Sequence, residues 1–112
     1  MTIQKYAEID FELIADSDFE QFFNWEDESG NAVDITGYTF TMEISATEGV
    51  APILSQAGTI TDAAQGEFNI KIESTVLTTL TADTYYFYRI LDDDGAGGEF
   101  YQVAGRIRQV TK

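Results

Sequence analysis

The sequence predicts an all-β fold, an antiparallel β-sandwich of about seven or eight strands in a single domain spanning residues 1–112. Three observations carry that prediction. Between Phe19 and Glu26, Phe19, Gln21, Phe23 and Trp25 alternate with Glu20, Phe22, Asn24 and Glu26, the period-two signature of a strand. Turn signals then recur roughly every 8–12 residues, the spacing of short strands in a sandwich. Finally, 44% of the residues are hydrophobic, with eight Phe, six Tyr and one Trp, so a packed core is available despite a formal charge of −14. Acidic chains that stay disordered lack such aromatics.

The elements follow in order. Glu8 to Leu13 alternates Ile9, Phe11 and Leu13 inward with Glu8, Asp10 and Glu12 outward. A turn at 15–18 leads into the Phe19–Glu26 strand, and Glu28-Ser29-Gly30-Asn31 supplies residues that tolerate positive φ. Phe40, Met42 and Ile44 then alternate with Thr41, Glu43 and Ser45 in a strand over Tyr38–Ala46. Pro52, the only proline, marks the loop before two short strands at Ile53–Gln56 and Gly58–Thr61. Phe68, Ile70 and Ile72 give one face to the strand Glu67–Glu73. Val76, Leu77 and Leu80 break the alternation at helical spacing, which predicts one short helical turn near 74–80, with Ser74 or Thr75 as its cap. Strands at Tyr85–Leu91 and Glu99–Val110 close the chain around a hairpin loop over residues 92–98. Trp25, Phe23, Phe40, Ile44, Phe68, Ile70 and Ile72 are expected to face one another between the sheets.

Composition excludes several functional classes. There is no cysteine, hence no disulfide and no thiolate metal site, and no histidine, the commonest general base near neutral pH. Six basic residues against twenty acidic ones argue against phosphate neutralisation, so neither nucleic acid nor an anionic membrane is an expected partner. No apolar run reaches the length of a signal-peptide core or a membrane span, and a non-secreted product made without a signal peptide is expected. The remaining catalytic options are carboxylate pairs and Ser/Lys dyads. No serine lies in a G-x-S-x-G elbow, and the 95–98 glycine run lacks the lysine and helix of a phosphate loop. The chain therefore reads as a non-enzyme without a cofactor. The acidic turns Asp92-Asp93-Asp94 and Glu26-Asp27-Glu28 lack the spacing of a helix-flanked calcium loop and read as hairpin tips, so no metal ligand is assigned.

Two features point to surfaces. The strand Tyr85–Leu91 carries apolar side chains on both faces, and Phe22 does the same on the Phe19–Glu26 strand, so one face of each needs a cover beyond the core. Phe22, Tyr86 and Tyr88 are taken as interface anchors on this basis. Charge is also unevenly spread. Ten of the acids lie in residues 1–34, whereas Arg106, Arg108 and Lys112 gather at the end. Arg106 and Arg108 project from one strand face and are expected to meet different neighbours from those of the acidic half.

The motifs F-x-W-x-D-x-x-G-x-x-V-D-I-T-G-Y-x-F (Phe23–Phe40), G-x-F-x-I-x-I (Gly66–Ile72), T-Y-Y-F-Y (Thr84–Tyr88), D-D-D-G (Asp92–Gly95) and G-R-I-R-Q-V-T (Gly105–Thr111) together resemble the small immunoglobulin-like β-sandwiches of tailed-phage virions. The N-terminal domain of phage upper baseplate proteins is the nearest type. The resemblance implies an immunoglobulin-like sandwich that serves as a structural protein of the particle: a tail, baseplate or fibre-attachment component, or a head decoration. Its partners would be other virion proteins and copies of itself, and its location the virion. Baseplate versions continue into a longer chain, so a chain stopping at Lys112 suggests an accessory protein added in many copies. The alternative is a carbohydrate-binding or adhesion module, whose aromatics would gather at a loop end or in a shallow groove.

Overall fold

Alternation places each long strand, because successive side chains leave a strand on opposite faces and only one face of each sheet meets the core. The computed structural model describes residues 1–4, 7–14, 16–96 and 99–110. They form β1 (Thr2–Ile3), β2 (Ala7–Glu8), β3 (Phe11–Ile14), β4 (Phe19–Trp25), β5 (Thr39–Ser45), β6 (Leu54–Ala57), β7 (Thr59–Asp62), β8 (Glu67–Ile72), helix α1 (Ser74–Leu77), β9 (Tyr85–Asp93) and β10 (Glu99–Val110). A 3₁₀ turn at Ala63–Gln65 joins β7 to β8.

The strands make two packed sheets, an all-β sandwich as expected. The smaller has the order β1-β4-β8-β7, and the larger β2-β10-β9-β5-β6 with β3 also on β10. This distribution of neighbours follows the immunoglobulin-type order. Two details differ from the sequence reading. The sheets are mixed, since β1 runs parallel to β4, and β2 and β3 run parallel to β10. Among the described residues the count is ten strands rather than seven or eight, because two residues near the start pair with β4 and the expected Glu8–Leu13 strand is split at Ile9 and Asp10.

The split has a local cause. Ile9 N–H donates to the Ala104 carbonyl at 3.0 Å, as a regular parallel ladder requires. The regular ladder would give the Ile9 carbonyl the Arg106 N–H. Instead the Ile9 carbonyl accepts the Tyr88 hydroxyl, and Asp10 Oδ1 takes the Arg106 N–H at 2.9 Å. A Cβ at Gly105 would overlap the Ile9 carbonyl, so only glycine admits this arrangement. Gly66 is required for a similar reason. Its φ is +67°, and a Cβ there would lie 2.6 Å from the Trp25 carbonyl.

The core lies between the sheets, and all seven residues expected there are buried, with Trp25 at 6% and the others at 2% or less. Phe40 of β5 stacks on Phe68 of β8 with ring centroids 3.9 Å apart and planes 3° apart, so one ring from each sheet bridges the interior. Phe23 stacks on Phe68 at 5.2 Å, and Trp25 meets Tyr38 edge-on at 5.8 Å. The "VDITG" segment supplies a plug from a loop. Ile35 is fully buried, while Asp34 Oδ1 accepts both the N–H and the hydroxyl of Thr36 and fixes the turn at Gly37. Those two bonds hold the Asp34 carboxyl below its ordinary value.

The helical turn appears where expected, with a different cap. Neither Ser74 nor Thr75 caps it. Asp18, in the β3–β4 turn, accepts the Ser74 N–H at 2.8 Å and ties that turn to the start of α1. Strand β9 also runs further than expected, so Asp92 is a buried strand residue and the hairpin tip begins beyond it.

Trp25→Ala is expected to destabilise the fold by about 3–5 kcal/mol through lost burial and the cavity left behind. Urea unfolding of the variant, with its midpoint shifted and its slope retained, checks this expectation.

Candidate functional site

The two faces of β9 decide which aromatics are available at the surface. Tyr86, Tyr88, Ile90 and Asp92 are buried, so this phase points inward. Tyr85, Phe87, Arg89 and Leu91 therefore form the outward phase, with Tyr85 52% exposed. This corrects the sequence assignment of Tyr86 and Tyr88 as interface anchors. Tyr88 is 2% exposed and spends its hydroxyl on the Ile9 carbonyl. Burial and the Asp10 charge push the Tyr88 phenol well above its usual range. Tyr86 is 8% exposed, and its hydroxyl accepts the Thr81 N–H at 2.8 Å. That tie, from the start of a strand to backbone five residues upstream, resembles the tyrosine corner of immunoglobulin domains.

The other three candidates are at the surface but not together. Phe22 is 54% exposed on the outer side of the small sheet, opposite Asn69 of β8. Arg106 and Arg108 lie on the outer side of the large sheet, where β10 sets them beside Phe87 and Tyr85 of β9. Both guanidinium groups sit over the Tyr85 ring, at 4.7 and 4.9 Å from its centroid. Such contacts contribute roughly 0.5–1 kcal/mol each at exposed sites and hold the planar groups in place.

Across β10 from this cluster runs an acidic edge. The parallel register aligns Phe11 with Ile107 and Glu12 with Arg108, so Asp10 and Glu12 fall beside Arg106 and Arg108. Arg106 Nη2 reaches Asp10 Oδ2 and Arg108 Nη2 reaches Glu12 Oε1, each at 3.4 Å. On the other side of β9, Arg89 Nε donates to Glu43 Oε1 of β5 at 2.9 Å. The expectation that the terminal arginines meet different neighbours from those of the acidic half is thus corrected. Pairing of β3 with β10 brings them onto one face as partners within the chain, and Lys112 lies outside the described residues. Exposed pairs of this type contribute about 0–1 kcal/mol each.

Between these rows the outer face is concave. A groove of about 680 Å³ runs over Phe87 and Arg89, bounded by Glu8, Glu43, Glu48 and Arg106, with Val50 at its rim. Carboxylates and ion-paired arginines around one half-buried ring suit contact with a polar or mixed surface. Among the described residues no group of three or more acidic side chains is placed to hold a metal ion. The hairpin-tip carboxylates bond to their own loops: Asp93 and Asp94 accept the N–H groups of Gly95 and Ala96, and Asp27 accepts those of Ser29 and Asn31.

Two variants test the geometry. Tyr88→Phe leaves the Ile9 carbonyl without its hydroxyl partner and is expected to cost about 1–3 kcal/mol in thermal or urea unfolding. Asp10 has its carboxyl lowered from 3.8, chiefly by the Arg106 N–H, against an opposing effect of desolvation, with the Arg106 charge and side-chain hydrogen bond adding to the lowering. A depressed carboxyl stabilises the fold at pH above its unfolded value and loses that contribution as pH falls through its folded value. The stability difference between wild type and Asp10→Asn is therefore expected in full near neutral pH, should shrink as pH falls below 3.8, and should vanish only once pH has passed through the lowered folded value. Unfolding measured across that range, with an NMR titration of the Asp10 carboxyl, reads both.

No protein-family model matches the chain, and no curated protein matches it in sequence. The functional reading rests on this outer face and on the order of the sequence motifs.

Proposed function

We propose that this chain is a non-enzymatic structural protein of a tailed-phage particle. In this reading it acts in many copies, packing against other virion proteins and against itself through the outer face of the large sheet. The observation that carries it is the cluster of Tyr85 beneath Arg106 and Arg108, next to Phe87, on two hydrogen-bonded strands. Tyrosine and arginine dominate the energetic centres of protein interfaces, and here their geometry is set by a sheet rather than a loop, which lowers the ordering cost of association. The resemblance of the motif series to virion sandwiches supplies the context. A surrounding acidic surface keeps copies apart until the face is engaged.

The groove over Phe87 favours a second reading, a carbohydrate-binding or adhesion module, because a ring among carboxylates and arginines in a shallow depression suits a sugar. The exposed aromatics favour assembly over sugar binding: Tyr85 lies along a strand face under two arginines, and Phe22 lies on the opposite sheet.

Particles purified from the host that carries the gene test the proposal. Cryo-electron microscopy is expected to place the chain at repeated positions with Tyr85, Arg106 and Arg108 covered by a neighbour. Tyr85→Ala is expected to reduce incorporation about tenfold while the isolated chain stays folded, its melting temperature lowered only by the loss of the two arginine contacts. Purified particles that lack the chain would overturn the reading, and saturable binding of an oligosaccharide at the groove, seen as NMR shifts at Phe87 and Arg89, would favour the alternative.

A further inference from the structure

We propose that β6 is a self-association edge, pairing antiparallel with β6 of a second copy. Four sheet edges are available among the described strands, and three are protected in ways proteins commonly use to block edge pairing. The β2/β3 edge carries Glu8, Asp10 and Glu12 and is interrupted at Ile9 and Asp10. β1 is two residues long. β7 ends in Asp62, and its pairing with β8 slips between Ile60 and Asp62. β6, four residues long like β7, carries neither a charge nor a slip in register. It holds an unbroken register with β5, from Thr41↔Ala57 to Ile44↔Leu54, and is the last strand of its sheet.

Charge identifies the occupant. From Gly49 to Thr61 the sequence contains no charged residue, its longest such run, in a chain whose formal charge is −14. Two copies repel one another over most of their surfaces, and the opposition is weakest where two uncharged edges meet. A basic partner would instead seek the acidic edge. Two exposed apolar side chains flank the strand, Ile53 at 53% and Val50 at 49%. An antiparallel pair centred on Ser55, whose backbone groups point away from β5, sets Ser55 across from its own copy and Ile53 of each copy across from Ala57 of the other, where the small side chain leaves room. The two large sheets then become one continuous sheet about a two-fold axis. This inference does not rest on the phage reading and is tested on the isolated chain.

Sedimentation of the full chain over a concentration series is the direct experiment, run for wild type, Ser55→Lys and Tyr85→Ala. Ser55 is exposed, so the lysine is expected to leave the melting temperature unchanged while placing like charges against each other across the two-fold axis. Wild type is expected to dimerise more tightly as salt rises from about 0.02 to about 0.5 M, because screening relieves repulsion between copies. Ser55→Lys should weaken the dimer at least tenfold, Tyr85→Ala should leave it unchanged, and amides of residues 54–57 should gain exchange protection with concentration. A chain that stays monomeric up to about 1 mM, a dimer indifferent to Ser55→Lys, or one that dissociates as salt rises would overturn the proposal.

Discussion

The stacking of Phe40 on Phe68 is the contact on which the rest of the sandwich depends. It joins β5, the strand next to the β6 edge of the large sheet, to a central strand of the small one, and other rings are arranged around it. Phe23 stacks on Phe68, Tyr38 on Phe40, and Trp25 closes the far end against Tyr38. Rings of this size each bury a large apolar area and add a directional preference. Once their faces are opposed, the phase of β4, β5 and β8 is fixed, and every charged side chain of those strands is directed away from the interior. The acidic exterior follows from the aromatic interior because one period governs both.

Much of this was legible in the sequence. Strands with one apolar phase, such as Phe68-Ile70-Ile72, assign themselves, and the helical turn near residue 76 is visible as a break in alternation. β9 was harder, since both of its phases are aromatic. Arg89 carries the missing signal. A guanidinium buried without a partner is far costlier than a buried tyrosine with its hydroxyl bonded, so the phase containing Arg89 must face out and the phase containing Tyr86 and Tyr88 must face in. Tyr85 and Phe87 were thus the surface aromatics to select.

The rest of the outer face depends on contacts that local pattern cannot express. Nothing near Asp10 announces that its carboxylate replaces a backbone carbonyl in a ladder with residue 106, or that Asp18 caps a helix that begins at Ser74. The charge asymmetry between the two ends is plain in the sequence, but not that the two ends neutralise each other, which the parallel register accomplishes within one chain. What reaches the surface is a row of guanidinium groups partly neutralised by acids and partly held over a ring, which favours fixed geometry over long-range attraction.

The parallel pairing of β2 and β3 with β10 has a consequence for the order of folding. These strands meet across a separation of 96 residues, as between Asp10 and Arg106. During synthesis, residues 7–14 leave the ribosome long before β10 and wait for the intervening strands before their partner exists. The β4–β8 and β5–β9 pairs can close earlier, so the first strand of the large sheet is the last to be added. Non-local closure of this kind slows folding relative to helical domains of equal size. Until it occurs, β10 presents an open edge, and the acidic residues of the waiting segment keep that segment hydrated and apart from its neighbours.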